Sequence, residues 1–410
     1  MTEAQTPKFT IIQIIPELGA GGAEQGCIDV AAGIVKAGGR AVIVSHGGLR
    51  IPELARIGAI HENLPVHSKN PFIMWQNIKR IEKLIKKYDA GIVHARSRAP
   101  AWSAWRACRN AKARFVTTCH APYNISGQAK KIYNGSIAQG EIVIAISEFV
   151  AAYLQENYHL PPERIEIIPR GIPLERFHPA GVTAERLVIL EKQWRIPDGA
   201  NVVMLPGRLT RWKGHHVLID AMEKLDRSDV FCVMIGADQG RENYRKELED
   251  AISAKNLGSR VRIVDHCNDM PAAYMLATVV VSASTDPEGF GRVPAEAQAM
   301  GRPIIATNHG GARETIQRGY TGWLVEPNNP DDLAAALEEA LSLDSRQRAI
   351  LATRGMTHVA NNFTREQMVE KTLHVYARLL NSTLDLKTAP EPFRGSPRSS
   401  SPFASLRAFG

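Results

Sequence analysis

Residues 287–301 read PEGFGRVPAEAQAMG and place Glu288 and Glu296 on either side of a glycine-phenylalanine-glycine turn. Pro294 is favoured in the first turn of a helix, where its missing N–H leaves no hydrogen bond unmade. The spacing therefore predicts a helix that begins here, with Glu288 on the preceding loop and Glu296 in the first helical turn. The N–H groups of Phe290 to Val293 would then form a cradle for an anion at the positive end of the helix dipole. An acid in a first turn also stabilises a helix without any ligand, so a purely structural interpretation stays open.

Short apolar runs alternate with helical patterns on the N-terminal side of this stretch and beyond it. The first set is FTIIQII, RAVIVSH, AGIVHA, RFVTTCH and EIVIAIS, and the second is NVVMLPG, VFCVMIG, RVRIVDH, ATVVVSAS and RPIIATN. Runs without alternating polar residues are typical of parallel strands that are buried on both faces. The alternation of apolar runs and helical patterns is interrupted through residues 180–200. The pattern predicts an α/β protein with two doubly wound, Rossmann-like domains in tandem.

Length and composition agree with two globular domains. The chain has 410 residues, of which 44% are apolar and 22% charged, with a net charge of +8 that favours anionic partners. We place an N-terminal, acceptor-binding domain at 1–185, a nucleotide-sugar-binding domain at 186–362, and a helix that returns to the N-terminal domain at 363–385. The polar segment 386–410, rich in proline and serine, is predicted to be disordered.

The compartment is predicted from what the sequence lacks. The polar start MTEAQTPKFT does not resemble a signal peptide, and no apolar run reaches the roughly 18 residues of a membrane span. Five scattered cysteines without a C-x-x-C pair fit reduced thiols and give no zinc site. We therefore expect a cytoplasmic protein.

The loop after the first apolar run reads GAGGAEQG, residues 19–26. A dinucleotide fingerprint would need a third glycine where Glu24 stands, and the second run ends without a ribose-binding acid, so NAD is disfavoured. Gly21 and Gly22 would still let backbone N–H groups approach a phosphate or a sugar closely. A tight turn without any ligand is the alternative.

The corresponding loop of the second half reads LPGRLTRWKGHH, with Gly207, Arg208 and Lys213 at the entry to a helix. Two cations and a glycine at a strand end suit a diphosphate, although solvated surface charge explains the same residues. Asp286 and Glu288 imitate a D-x-D metal motif, but they lie on a turn that contains proline. We expect no divalent metal.

Taken together, these segments resemble the retaining, nucleotide-sugar-dependent glycosyltransferases of the GT-B fold known as family four. The resemblance rests on GGAEQ at 21–25, TTCH at 117–120, AIS at 145–147, GRLTRWKG at 207–214 and EGFGRVPAEA at 288–297, which includes the E-x7-E spacing. The motifs occur in the family's order and extend over the chain to about residue 380. Arg170 departs from the family pattern, because it stands in IIPRG where asparagine is usual.

The resemblance implies a role for each matching residue. Glu288 would hold hydroxyls of the donor sugar and Glu296 the nucleotide ribose, while Arg208 and Lys213 would stabilise the leaving diphosphate. His120 would lie near the transferred sugar, although a hydrogen-bonded structural histidine is the alternative. The other donor-binding residues that it implies are Gly21, Gly22, Gly207, Phe290, Gly291, Arg292 and Val293.

The reaction that the resemblance implies is transfer of a hexosyl unit from a UDP- or GDP-linked sugar with retention of configuration and without a metal or other cofactor. Domain closure over the donor would exclude water and favour transfer over hydrolysis. A GT-B-type epimerase would share the architecture but should carry acid and base groups that we do not identify. A non-catalytic sugar-nucleotide-binding subunit is the other alternative, against which the intact carboxylates and cations argue.

The acceptor is predicted from the basic residues between Lys69 and Arg114. On a helix near 73–88 the lysines and arginines share the face opposite to the apolar one, and on the next helix a row of alanines would pack on the sheet. The residues predicted for an acceptor or membrane face are Arg96, Arg98, Trp102, Trp105, Arg106 and Arg109. Cations beside tryptophans suit an anionic membrane surface, so we expect a peripheral enzyme of the inner face that acts on a lipid-linked or lipopolysaccharide-type acceptor. A solvated basic face with tryptophans packed against the other domain is the alternative, and nucleic acid is not expected.

Overall fold

Two parallel sheets organise the computed structural model, which describes residues 7–19, 21–125 and 127–381. The segment 386–410, predicted to be disordered, lies outside the described residues. The first sheet has seven strands in the order β3-β2-β1-β4-β5-β6-β7. Its strands are β1 (Thr10–Ile14), β2 (Arg40–Ser45), β3 (Ile60–Asn63), β4 (Ile92–Ala95), β5 (Arg114–Cys119), β6 (Ile142–Ala145) and β7 (Ile165–Ile167).

The second sheet has six strands in the order β10-β9-β8-β11-β12-β13. Its strands are β8 (Asn201–Pro206), β9 (Val230–Ile235), β10 (Val261–Val264), β11 (Val279–Ser282), β12 (Ile304–Thr307) and β13 (Trp323–Val325). Every strand pair in both sheets is parallel. The prediction of two Rossmann-like α/β domains is confirmed.

Helices connect the strands, as parallel pairing requires. Those of the first half are α1 (Gly22–Lys36), α2 (Ile51–Arg56), α3 (Pro71–Tyr88), α4 (Arg98–Ala111), α5 (Gln128–Asn134) and α6 (Glu148–Tyr158). Those of the second half are α7 (Ala184–Trp194), α8 (His215–Lys224), α9 (Glu242–Ala254), α10 (Met270–Leu276), α11 (Arg292–Ala299), α12 (Ala312–Thr315), α13 (Pro330–Leu341), α14 (Ser345–Asn362) and α15 (Arg365–Leu380). Helix α7 lies within the interruption at 180–200. It begins at Ala184, two residues before residue 186, the predicted start of the second domain.

The last helix returns to the first half of the chain. The side chain of Thr364 caps α15 by accepting the N–H of Gln367. Met368, Leu373 and Tyr376 then pack into the first-domain core with α1. The backbone of Ile172, after β7, pairs with the residues just before α15 and fixes the position where the chain crosses back.

The carboxyl ends of the strands in the two sheets face each other across a cleft. Ser147, at the N-cap of α6, donates its hydroxyl to the carbonyl of Gly289 at 2.6 Å. From the second half, the carboxylate of Glu314 accepts the N–H groups of Glu148 and Phe149 at 2.8 and 2.9 Å. These bonds hold the two halves together beside the loops that carry the predicted site.

Candidate active site

Most of the predicted site residues line one cavity of about 740 Å³ in this cleft. Both halves of the chain contribute to its walls. The predicted residues that line it are Gly22, His120, Gly207, Arg208, Lys213, Glu288, Phe290, Gly291, Arg292, Val293 and Glu296. Gly21 is not among the lining residues, and it forms the N-cap of α1 behind Gly22.

The centre of the second-half wall is an ion pair. Lys213 Nζ lies 2.7 Å from Glu288 Oε1, and the two side chains are 13% and 19% exposed. Ser284 donates its hydroxyl to the same oxygen at 2.5 Å. Burial raises the pKa of Glu288, but the charge and hydrogen bond of Lys213, with the bond from Ser284, outweigh it and lower that pKa below its ordinary value. The carboxylate is therefore held ionised and fixed beside an ammonium group.

Arg208 is the exposed cation of the same wall. It follows β8 and Gly207, and its side chain has no hydrogen bond or ion pair with the residues that the structure describes. Lys213 lies on the short turn that follows, with its ammonium 4.4 Å from the Trp212 ring centroid. One cation is thus paired with a carboxylate, and the other is free to meet an anion.

The second carboxylate is held by residues that the sequence did not single out for it. Glu296 is 9% exposed, and the hydroxyl of the fully buried Tyr274 donates to its Oε2 at 2.8 Å. Arg292 lies 2.8 Å from its Oε1. The prediction that Glu296 lies in the first helical turn is wrong, because α11 begins at Arg292 and Glu296 is its fifth residue. The i,i+4 pair with Arg292 follows from that register.

The approach to α11 depends on glycine. Gly291, the N-cap, has φ 77°, which side chains rarely adopt. A Cβ on Gly289 would meet the carbonyl oxygen of His120 at 2.5 Å, so the two halves approach closely only because that position has no side chain. Phe290 is buried against Phe363, with ring centroids 5.4 Å apart, and it presents backbone to the cavity.

His120 lies on the first-half wall, directly after β5. Neither of its ring nitrogens has a hydrogen-bond partner among residues 7–19, 21–125 and 127–381. Burial lowers the pKa of His120 well below its ordinary value, and the charges of Arg170 and Arg96 lower it further. A neutral imidazole therefore lies in the wall of the cavity.

Arg170 is a cavity residue that sequence reasoning did not assign to the site, although its departure from the family pattern was the signal. Its side chain lines the cavity and donates to the carbonyl of Gly22 at 2.8 Å. Arg292 reaches the same glycine from the other half, since a Cβ there would meet Arg292 Cδ at 3.2 Å. Two arginines from different halves therefore converge on the first turn of α1.

The predicted basic face is only partly as expected. The alanines of α4 are buried, whereas Arg106 and Arg109 are exposed. Trp102 and Trp105 do not turn fully outward, because both rings are half-buried under Arg106, which lies 5.4 and 4.9 Å from their centroids. Trp105 lies in a groove with Phe115 and Gln139 of the first half, not against the other half of the chain.

Two arginines of the predicted set do not lie free on that face. Arg96 is 4% exposed and donates from Nε to Gln13, so its place on a membrane face was wrong. Arg98 is held by Asn134 at 3.0 Å and by the Tyr123 ring.

The side chains that do stand out are apolar, and the sequence reasoning overlooked them. Phe72 and Trp75, in the first turns of α3, are 65% and 53% exposed. Leu49 and Ile132 are 91% and 75% exposed. All four lie in segments that follow β2, β3 or β5, at the edge of the sheet that borders the cleft.

Two other features are absent from the described part of the chain. No group of three or more His, Cys, Asp or Glu side chains could hold a metal ion there. No helix in those residues is long and apolar enough to cross a membrane.

Comparison with known proteins gives a family match to each half. Residues 20–176 match the family described as Glycosyltransferase Family 4, and residues 189–356 match Glycosyl transferases group 1. A D-inositol 3-phosphate glycosyltransferase of Salinispora tropica is 32% identical over 250 residues. That alignment covers 58% of this chain and 51% of the relative, so the chain spans about half the length of that protein.

Solved structures match over nearly the whole chain. A glycosyltransferase from Rickettsia africae is 38% identical with a TM-score of 0.85, and the match covers 92% of this chain and 100% of that one. The Anabaena protein HepE in complex with UDP-glucose is 22% identical with a TM-score of 0.79, covering 90% of this chain and 99% of that one. The latter likeness shows the fold.

Proposed function

Because this chain belongs to the glycosyltransferases of family 4 and group 1, we propose that it transfers a hexosyl unit from a UDP- or GDP-linked sugar to an acceptor with retention of configuration. The observation that carries the proposal is the Lys213–Glu288 ion pair, which shares one cavity with Arg208 and Glu296. The UDP-glucose bound by the Anabaena protein of the same fold supports a nucleotide sugar as donor.

The chemistry follows from the charges. Arg208 and Lys213 stabilise the negative charge that develops on the diphosphate as the glycosidic bond breaks. Glu288 accepts hydrogen bonds from hydroxyls of the sugar, and Glu296 accepts them from the ribose. The bonds of Ser147 and Glu314 keep the halves closed, which limits water as a competing acceptor.

A thermal-shift panel of nucleotide sugars tests this proposal. A UDP- or GDP-linked hexose should raise the melting temperature, because a ligand that binds only the folded state stabilises it. CMP- and ADP-linked sugars serve as comparison ligands. No response to any of them would contradict the proposal. Binding without transfer or hydrolysis would support the non-catalytic subunit, and conversion of the sugar without transfer would support the epimerase.

Activity is expected to survive chelation. Two cations and the N-terminus of α11 lie where a metal would otherwise neutralise the diphosphate, so EDTA should leave the transfer rate within about twofold of the untreated enzyme. The rate is measured after dialysis against EDTA and again after magnesium or manganese is added. Loss of activity that either metal restores would contradict this prediction.

The acceptor that we propose is lipid-linked or of the lipopolysaccharide type, presented at an anionic membrane surface on the inner face of the cell membrane. In support, the apolar rim formed by Leu49, Phe72, Trp75 and Ile132 borders the cleft. Exposed lysines continue along α3, and Lys79 lies 5.3 Å from the Trp75 ring centroid. Aromatic side chains with adjacent cations suit the headgroup region, and here they would bring the cleft mouth to the lipid.

Binding to anionic vesicles should depend on that rim. The protein should sediment with vesicles of phosphatidylglycerol and phosphatidylethanolamine, be released by salt, and bind about tenfold more weakly after Phe72→Ser and Trp75→Ser, since each change removes an exposed aromatic group. Trp102→Ala with Arg106→Ala is the comparison pair and should have the smaller effect, because Trp102 is half-buried. Equal sedimentation with neutral vesicles would contradict the membrane proposal.

A further inference from the structure

Two arginines of the first half are buried without an acidic partner. Arg96 and Arg170 are 4% and 9% exposed, and neither forms an ion pair with any residue that the structure describes. The Nε of Arg96 donates to the neutral Gln13 at 2.5 Å, and its Nη2 has no partner within the described ranges. The bond from Arg170 is to a backbone carbonyl. An ionised group held in this way loses hydration without gaining a counter-ion.

Their surroundings add to the positive charge. Burial, followed by the charges of Arg292 and Arg96, lowers the pKa of Arg170 to about 9. Glu24 and Tyr123 act in the opposite direction, but the net effect is a guanidinium whose charge is disfavoured. An anion bound among these arginines would remove that cost.

The guanidinium groups of Arg96 and Arg170 lie close to helix α1. A Cβ on Gly26 would meet Arg170 Nη1 at 3.0 Å, so the absence of a side chain lets that guanidinium lie tightly against α1, and Arg96 Nη1 would lie at ordinary contact distance, 3.8 Å. That helix has 15 residues, and its N-cap is a glycine with no side chain to accept an N–H, so its first turn adds positive potential. His120 lies close enough for the charges of Arg170 and Arg96 to lower its pKa.

We propose that Arg96, Arg170 and the first turn of α1 form a second anion site, which binds a phosphate or carboxylate group of the acceptor. The proposal rests on the glycosyltransferase function proposed above and specifies the acceptor as anionic at the reaction centre. The two arginines belong to the first half of the chain, whereas the cations assigned to the donor diphosphate, Arg208 and Lys213, belong to the second. The donor diphosphate is the other chemical source of such an anion, and the experiment separates the two.

Inorganic phosphate is the probe, titrated by calorimetry into the full-length protein that has been saturated with UDP or GDP. The wild type should bind phosphate in addition to the nucleotide. Arg170→Asn and Arg96→Gln should each weaken that phosphate binding by about tenfold or more, because a charge-assisted hydrogen bond is lost. Nucleotide affinity should stay within about twofold, which also shows that the variants are folded. Arg56→Asn, at an exposed arginine of α2, is the matched control and should leave both affinities unchanged.

Gly26→Ala gives an independent arm, because it keeps both arginines and displaces only the guanidinium of Arg170. It should weaken phosphate binding while nucleotide binding is retained. Phosphate that binds the nucleotide-free protein but not the nucleotide-saturated protein would overturn the proposal and assign the cluster to the donor diphosphate. Phosphate binding that is absent, or that all three variants leave unchanged, would make the arginines structural. Failure of the wild type to bind any nucleoside diphosphate would count against the proposed function itself.

Discussion

Replacement of Lys213 by alanine is expected to lower the rate of sugar transfer on the order of 100-fold, because it removes a cation from the leaving diphosphate. The structure adds a second consequence. Lys213 is the partner of Glu288 at 2.7 Å, and the carboxylate is 19% exposed, so the variant leaves a largely buried acid without its counter-ion. Arg208→Ala removes the other cation without this side effect, because Arg208 has no carboxylate partner among the described residues.

The two consequences are separated by measuring stability as well as rate. In the wild type the pKa of Glu288 lies below the ordinary value of 4.5, so its contribution to stability is complete above that pH and is lost in acid. Without Lys213, burial dominates and raises that pKa. The unfolded chain then ionises near pH 4.5 while the folded chain keeps its proton, so the free energy of unfolding should fall as pH rises through the raised pKa.

Arg211→Ala is the matched control for both measurements. Arg211 lies two residues away on the same turn, but its side chain is 71% exposed and paired with Glu247. Its loss should leave transfer within about threefold of the wild type, since an exposed ion pair contributes little. Steady-state transfer assays and urea unfolding at pH 5 and pH 8 provide the data. If Lys213→Ala were as active as this control, the assignment of the diphosphate cations would be wrong.

The sequence predicted the central strands and missed three at the edges. Strands β1 and β9 are buried at every residue and stand out as mainly apolar runs. Strands β3, β7 and β13 lie at ends of the two sheets, where one side is open, and their sequences IHEN, IEI and WLV are only partly buried. Such short, half-polar segments carry no period that separates them from loops.

The candidate site was predicted as a set of residues, and the structure supplied how they are paired. The spacing around the turn predicted that Glu288 and Glu296 lie near the start of one helix. Lys213 and Glu288, however, are 75 positions apart in the sequence, and no local pattern predicts that they pair. Tyr274 could not be found for the same reason, since a tyrosine in a short apolar helix reads as core. Its hydroxyl contact with Glu296 depends on how α10 and α11 pack.

The surface was the least predictable part. Helical periodicity showed which side of α4 faces the sheet, but not how deeply Trp102 and Trp105 would be buried. Phe72 and Trp75 are exposed although Ser103 of α4 donates to the carbonyl of Met74 between them, because they lie on a face of α3 that α4 does not cover. Arg96 was misplaced because a cation directly after a strand can turn into the interior, as Arg96 does toward Gln13.

Glu296→Ala is expected to weaken nucleotide binding by about 10- to 100-fold, the equivalent of ~1.5–3 kcal/mol for the charge-assisted hydrogen bonds to the ribose. The effect should appear in KM for the donor and in the Kd of UDP or GDP, with kcat reduced less, because the ribose does not change charge during transfer. Calorimetry with the free nucleotide measures the binding part alone.

Tyr274→Phe is the informative comparison, because it keeps the ring and removes only the hydroxyl that donates to Glu296 at 2.8 Å. If Tyr274 orients the carboxylate, this variant should show a smaller rise in KM of the same kind, since Arg292 still holds the other oxygen. The removal of both groups should then cost less than the sum of the single effects, because residues in contact are not additive. A fall in kcat at unchanged KM for Glu296→Ala would instead place this carboxylate at the reacting sugar, and the roles of Glu288 and Glu296 would have to be reassigned.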